Sequence, residues 1–307
     1  MSAILTFFPY CRQLSCCPFL APTHEILNLY TTVQLRHLQL SLHPTYSVIT
    51  SSLSRVFFSL YLSVMKMDLL AFGSHPDDVE LGCSGTIIKE IRRGKKVGII
   101  DLTQGELGTR GTIETRYQEA ANAAMIMGVS VRENLKLRDG FFQNNEESQL
   151  KVVQVLRKYQ PEIVLANIWE DRHPDHGKGG WLLYDACFLS GLRQVNTIGE
   201  DGKEQQKWRP KMLLHYIQDR FYEPHVIIDI SDVWEQRMDA IRAYRTQFHD
   251  PNSKEPQSYL SSPEFLEALT ARSRLLGKRI GVKYGEGFLS KKNIGIKDLD
   301  CLVLNET

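Results

Sequence analysis

MDLLAFGSHPDDVELGCSGTIIKEIRRGKKVGIIDLT, residues 67–103, holds the reading on which the architecture turns. Its first eight residues, MDLLAFGS (67–74), are a run of strand length whose centre, LLAFG, is apolar without alternation, as a strand buried on both faces requires. Residues 80–93 read as a helix stopped by Gly94, because glycine takes the left-handed helix-ending conformation without a Cβ penalty. KVGIIDLT (96–103) is a second strand of the first kind. The alternation continues down the chain. A Gly- and Thr-rich loop (104–112) leads into a helix over 113–127, closed by Gly128, and ENLKL (133–137) is a third strand. Residues 147–159 are helical, EIVLANI (162–168) is a fourth strand, and a helix over 175–190 follows. KMLLHYI (211–217) and HVIIDIS (225–231) are later strands, a hairpin or an extension of the sheet, and helices over 232–247 and 263–280 close the chain. Strands separated by helices of this length predict an α/β fold with a mostly parallel sheet covered on both faces. Ligands of such sheets sit outside the carboxyl ends of the strands.

Two strings fall at such ends, HPDD (75–78) and HPDH (173–176). His75 and Asp78, three apart at a strand-to-helix turn, can reach one point, and Pro76 suits the turn because it biases His75 away from helix. His176 could supply a third ligand. Catalytic zinc typically takes three ligands from His and Asp or Glu and keeps one position for water, whose pKa it lowers towards about 7. Asp77 sits beside these ligands, placed to accept a proton. His173 could donate a proton or a hydrogen bond to a developing oxyanion, with Asp175 orienting it. The plain alternative is a pair of helix caps, Asp capping and Pro beginning each helix. Two such strings, each at a strand end and each with a second ligand type, favour the metal site.

Bulk properties exclude several classes. With 307 residues the chain can bury a sizeable core, and its net charge of +1 gives no basic field for nucleic acid. Six cysteines without a CxxC pair make neither a dense disulfide framework nor a thiolate zinc site. No run of about 18 apolar residues marks a membrane-spanning helix. A dinucleotide fold would need GxGxxG after the first strand; Gly82 and Gly85 lie inside the helix instead, as packing glycines do, and no Walker string occurs.

GSHPDDVELGCSGTI (73–87) and EDRHPDH (170–176) resemble the signature of the LmbE/PIG-L family of zinc-dependent N-acetylglucosamine deacetylases, with DLTQGELGTRGTIETR (101–116), LRDGFF (137–142) and YGEGFLSK (284–291) in support. The resemblance covers most of 67–290 and is strongest to the branch that deacetylates N-acetylglucosaminyl malate in bacillithiol biosynthesis. It implies a Rossmann-like three-layer sandwich. It implies His75, Asp78 and His176 as ligands of one Zn2+ per subunit, Asp77 as general base, and His173 as oxyanion stabiliser or acid with Asp175 behind it. It further implies a cytoplasmic homo-oligomer, trimer or hexamer, acting on a small-molecule N-acetylglucosaminide, with no nucleic-acid or membrane partner. Other divalent metals also suit a His/Asp site. Arg116, at the start of the second helix, is the expected substrate arginine, its alternative being a solvated helix residue. Asp139 is expected at a sugar hydroxyl, although Asp-Gly is also a turn signal. Arg172 is suited to a substrate carboxylate or to a structural ion pair. Tyr216 reads as a buried strand tyrosine, and His24, His37, His43, His215, His225 and His249 as non-ligands. Other readings are deacetylation of chitobiose or a thiol conjugate, and a metal- or sugar-binding protein without turnover; the presence of both Asp77 and His173 disfavours the latter.

Residues 1–66 differ from the rest. They carry five charged residues (Arg12, Glu25, Arg36, Arg55, Lys66) and three of the six cysteines. No Lys or Arg precedes MSAILTFF, as a secretory signal would require. The preferred division is an atypical extension over 1–66, with translation starting at Met65 or Met67, and a catalytic domain over 67–307; the rival is an unusual targeting or anchoring segment.

Overall fold

The computed structural model describes residues 66–248 and 251–304, so the expectations for the N-terminal extension lie outside the described residues, Lys66 apart. The elements in order are β1 (Leu69–Gly73), α1 (Asp78–Arg92), β2 (Val97–Thr103), α2 (Ile113–Met127), β3 (Val131–Leu137), α3 (Glu146–Tyr159), β4 (Ile163–Asn167), α4 (Pro174–Leu189), β5 (Met212–Tyr216), β6 (Val226–Asp229), α5 (Trp234–Arg242), α6 (Phe265–Arg279) and β7 (Gly285–Leu289). The seven strands form one sheet in the order β3-β2-β1-β4-β5-β7-β6. The first five are parallel, and β7 runs antiparallel to both its neighbours.

Apolar runs without alternation make β1 and β2 two-sided. Leu69, Ala71, Val97 and Ile99 pack on one face against α1, α2 and α5, while Leu70, Phe72, Ile100 and Leu102 pack on the other against α3 and α4. Successive side chains of a strand point to opposite faces, so a strand covered by helices on both sides must be apolar at every position. The result is the expected three-layer α/β sandwich. No helix among the described residues is long and apolar enough to cross a membrane.

Near the C-terminus one expectation is decided and another corrected. Of the two readings for β5 and β6, extension of the sheet holds and the hairpin does not, because β7 inserts between them, Tyr216 and Val226 both pairing with Phe288. The strand GEGFL (285–289) escapes pattern reading because glycine is depleted in strands; here Gly285 is required, since a Cβ on it would stand 2.7 Å from Ile227 and 3.0 Å from the Gly277 nitrogen. The helix expected over 232–247 begins as a 3-10 turn (Ser231–Val233) and ends at Arg242.

α1 is broken inside. Cys83 has φ −152° and ψ 17°, and the amides of Gly85 and Thr86 donate to the Glu286 carboxylate at 2.9 and 2.7 Å rather than to the preceding turn. The Leu81 carbonyl, left free by the break, accepts from Arg237 at 3.0 Å. Arg237 in turn pairs with Glu286 at 2.9 Å, both side chains buried. An anion thus meets the amide end of the second half-helix and a cation the carbonyl end of the first, as the orphan groups and helix dipoles favour. A Cβ at Gly82 would stand 2.2 Å from the Tyr216 ring, so this glycine serves helix–sheet packing.

Candidate active site

β1 has β2 on one side and β4 on the other, so the chain reverses its direction of winding there and a crevice opens at the carboxyl ends of β1 and β4. HPDD leaves β1, and HPDH, after a short loop, leaves β4. The two turns are tied together by Ser74: its amide donates to the Asn167 side chain at 2.9 Å and its hydroxyl to the Asp175 carbonyl at 2.8 Å.

Asp78 is the centre of the cluster. Its Oδ2 accepts from the His75 amide at 2.9 Å and from Asn167 Nδ2 at 3.1 Å, and lies 3.6 Å from His75 Nδ1. Its Oδ1 accepts from Gln218 Nε2 at 2.6 Å and lies 3.1 Å from His176 Nε2. His176 Nδ1 is held by the buried Asp171 at 2.7 Å. His75 Nε2 points away from Asp78, to Asp139 at 3.0 Å and Asp175 at 3.5 Å. His75, His173 and His176 also bring ring nitrogens within 4.8 Å of one another, as His75 does with Asp139 and Asp175.

The electrostatics call for a cation. Burial would lower His176, but Asp78 and Asp171 outweigh it and push it up to about 9. Burial would likewise lower His75, and its bonds to Asp139, Asp175 and Asp78 carry it well above the ordinary value. Burial would raise Asp78, yet the adjacent His176 and His75 hold it well below. The buried carboxylates thus favour positive charge between His75, Asp78 and His176, which a divalent cation could supply. The nitrogen–oxygen donor set therefore fits such an ion.

Asp77 stands apart from this cluster. Its φ of 118° places a non-glycine residue in the left-handed region, a strain of about 1–3 kcal/mol that concentrates at functional sites. Burial pushes its carboxyl up to about 7 against the pull of Arg116. Arg116 donates to Asp77 Oδ2 at 3.1 Å and to the Pro76 carbonyl. The Gln247 side chain, 3.3 Å from Arg116 Nη1, helps to fix this arginine. His173 is pushed down to about 4 by burial and by the two neighbouring histidines. Its Nδ1 accepts the Asp175 amide at 3.3 Å, which leaves the ring proton of the neutral form on Nε2.

One sequence expectation changes, that of Asp175, and two residues gain further contacts. The Asp175 carboxylate does not face the His173 ring: it accepts from the Gly140 amide at 2.7 Å and from Lys178 at 2.9 Å and lies beside His75, because the helix that starts at Pro174 turns it towards the 139–140 loop. Asp139 lines the cavity, and its oxygens also meet His75 at 3.0 Å and the Leu107 amide at 2.9 Å, so it orients the imidazole as well. Arg172 lies in the cavity wall, paired with Asp219 at 2.8 Å and 3.9 Å above the Tyr259 ring. Tyr216 is the buried strand tyrosine expected, donating to the Phe72 carbonyl. Sequence reading missed Asp171, Asn167 and Gln218. Asp171 sits five residues before His176, where a carboxylate partner for a ligating histidine could have been sought. The other two carry no local signal.

The cluster opens into a cavity of about 690 Å³, lined by His75, Asp77, Arg116, His173 and Arg172 and by residues of α6.

Residues 70–187 match the family described as PIG-L: GlcNAc-PI de-N-acetylase. The chain is 30% identical to a diacetylchitobiose deacetylase of Thermococcus kodakarensis, over 71% of this chain and 81% of that protein. It is 27% identical to a probable N-acetyl-alpha-D-glucosaminyl L-malate deacetylase 2 of Bacillus subtilis, over 60% and 84%. Among solved structures, the conserved protein TT1542 of Thermus thermophilus superposes with a TM-score of 0.66 at 36% identity, over 75% of this chain and 97% of that one.

Proposed function

The chain belongs to the PIG-L/LmbE family of deacetylases, and we propose that it hydrolyses the acetamide of an N-acetylglucosaminide, with His75, Asp78 and His176 holding one divalent metal, zinc by preference. The observation that carries this reading is the meeting of the two His-Pro-Asp turns on Asp78, with the strained Asp77 beside it. A metal bound there supplies a Lewis acid for the acetyl carbonyl and acidifies water at neutral pH. Asp77, with its carboxyl near neutrality, takes the proton of the attacking water. Arg116 holds the Asp77 carboxylate in place. His173, neutral with its proton on Nε2, donates a hydrogen bond to the oxyanion as it forms. Asp77 then returns its proton to the departing nitrogen, so that water and amide become acetate and amine.

The proposed substrate is N-acetyl-α-D-glucosaminyl L-malate, supported by the malate-branch strings and by the Bacillus subtilis relative; diacetylchitobiose is the second reading, supported by the Thermococcus kodakarensis relative. A cytoplasmic homo-oligomer, as the family resemblance implies, completes the proposal. The test is acetate release from both compounds before and after exhaustive chelation. The expected result is release that stops with the metal removed and returns with added zinc. Failure to release acetate from any N-acetylglucosaminide would overturn the reading, and release that survives chelation would overturn its metal.

A further inference from the structure

Four arginines line the active-site cavity: Arg110, Arg116, Arg172 and Arg272. Three have a carboxylate within 4.0 Å, namely Glu255, Asp77 and Asp219. Arg272 has none among the described residues. Its hydrogen bond is a long one, 3.3 Å from Nη2 to the Leu81 carbonyl, and that carbonyl is already served by Arg237 at 3.0 Å. The Leu81 carbonyl accepts from both arginines, the shorter bond being that of Arg237. Burial and the neighbouring Arg237 push its guanidinium down to about 10, so it is still charged at neutral pH. Asp219, Asp171 and Glu286 act on it from a distance, but none pairs with it directly, and a half-buried guanidinium gains from a carboxylate or phosphate that does. Ala268, Leu269, Arg272 and Leu275 all line the cavity from α6, at spacings that place them on one helix face. The cavity is thus lined both by the metal-type cluster and by a largely apolar helix face that carries one cation with no carboxylate within 4.0 Å.

Resting on the deacetylase reading above, we propose that Arg272 is a specificity residue that pairs with an anionic group on the aglycone of the substrate. Its fork of donors suits a carboxylate or phosphate bound through two oxygens. The apolar residues on either side of it exclude water from that pair. A neutral second sugar would leave the cation unpaired.

The test compares kcat/KM for N-acetylglucosaminyl malate, N-acetylglucosamine 1-phosphate and methyl N-acetylglucosaminide, using the metal-loaded full chain and its R272Q and R272K variants. The wild-type protein should prefer one anionic substrate over the methyl glycoside by about 10- to 100-fold, the range expected of a charge-assisted pair. Whichever anion carries the larger preference identifies the group. R272Q should bring that ratio towards one, through KM of the anionic substrate, and R272K should restore part of it. An anionic-to-neutral ratio that R272Q leaves unchanged would overturn this inference and leave the deacetylase reading standing. No acetate from any of the three would overturn both.

Discussion

Asp77 and Asp78 are adjacent carboxylates made unlike by their surroundings. Asp78 receives protein donors on both oxygens and faces two imidazoles, which keep it ionised. Asp77 receives one arginine and is otherwise desolvated, which lifts it towards the pKa of a general base. The division coincides with a backbone peculiarity, the positive φ at Asp77. Asp171 acts at one remove. Its Oδ2 fixes the His176 ring and its Oδ1 accepts the Arg220 amide at 2.8 Å, so it chooses the tautomer that presents Nε2 to the site. D171N should weaken zinc binding about 10- to 100-fold, measured by competition with a chromophoric chelator; affinity equal to wild type would show that Asp171 does not orient the ligand. At this scale the sequence was informative about identity and silent about commitment. Asp139 and Asp175 were legible as polar residues of the site, but their carboxylates also meet His75, Leu107, Gly140 and Lys178, contacts that no local pattern encodes.

At the scale of elements, α1 does two jobs. Its first turn carries the chemistry, and its second half packs on the sheet. The break at Cys83 separates them, and the buried Arg237–Glu286 pair, one partner from α5 and the other from β7, holds the break in place. Replacing Glu286 by Gln leaves Arg237 buried without its counter-charge. E286Q should lose about 3–5 kcal/mol of stability, read from urea unfolding of the metal-free protein; a change below about 0.5 kcal/mol would mean that the pair does not stabilise the break. The core elements were readable because their patterns are local: apolar runs for β1, β2 and β4, with Gly94 and Gly128 as stops. β7 was not, since GEGFL has the composition of a loop and becomes a strand only where β5, β6 and α6 leave a slot too narrow for side chains at Gly285.

At the scale of the molecule, one topological fact gathers the site. Placing β2 and β4 on opposite sides of β1 brings two turns about a hundred residues apart to one crevice. That convergence could be inferred from the strand–helix alternation and the two related strings. The polar frame that stabilises it could not. Asn167 and Gln218 reach Asp78 across 89 and 140 residues, and a single neutral amide at a strand end has no distinguishing neighbours. The central claim is that this crevice deacetylates an amino sugar with Asp77 as its base. The most direct measurement is acetate release from N-acetylglucosaminyl malate by wild-type protein and D77N, each assayed for bound metal. Asn tolerates the left-handed backbone of position 77, and its amide oxygen can still accept from Arg116, so the variant tests proton transfer rather than folding. Equal metal content is expected, with a fall in turnover of about 10²- to 10⁴-fold; metal-replete D77N working at the wild-type rate would contradict the role of Asp77.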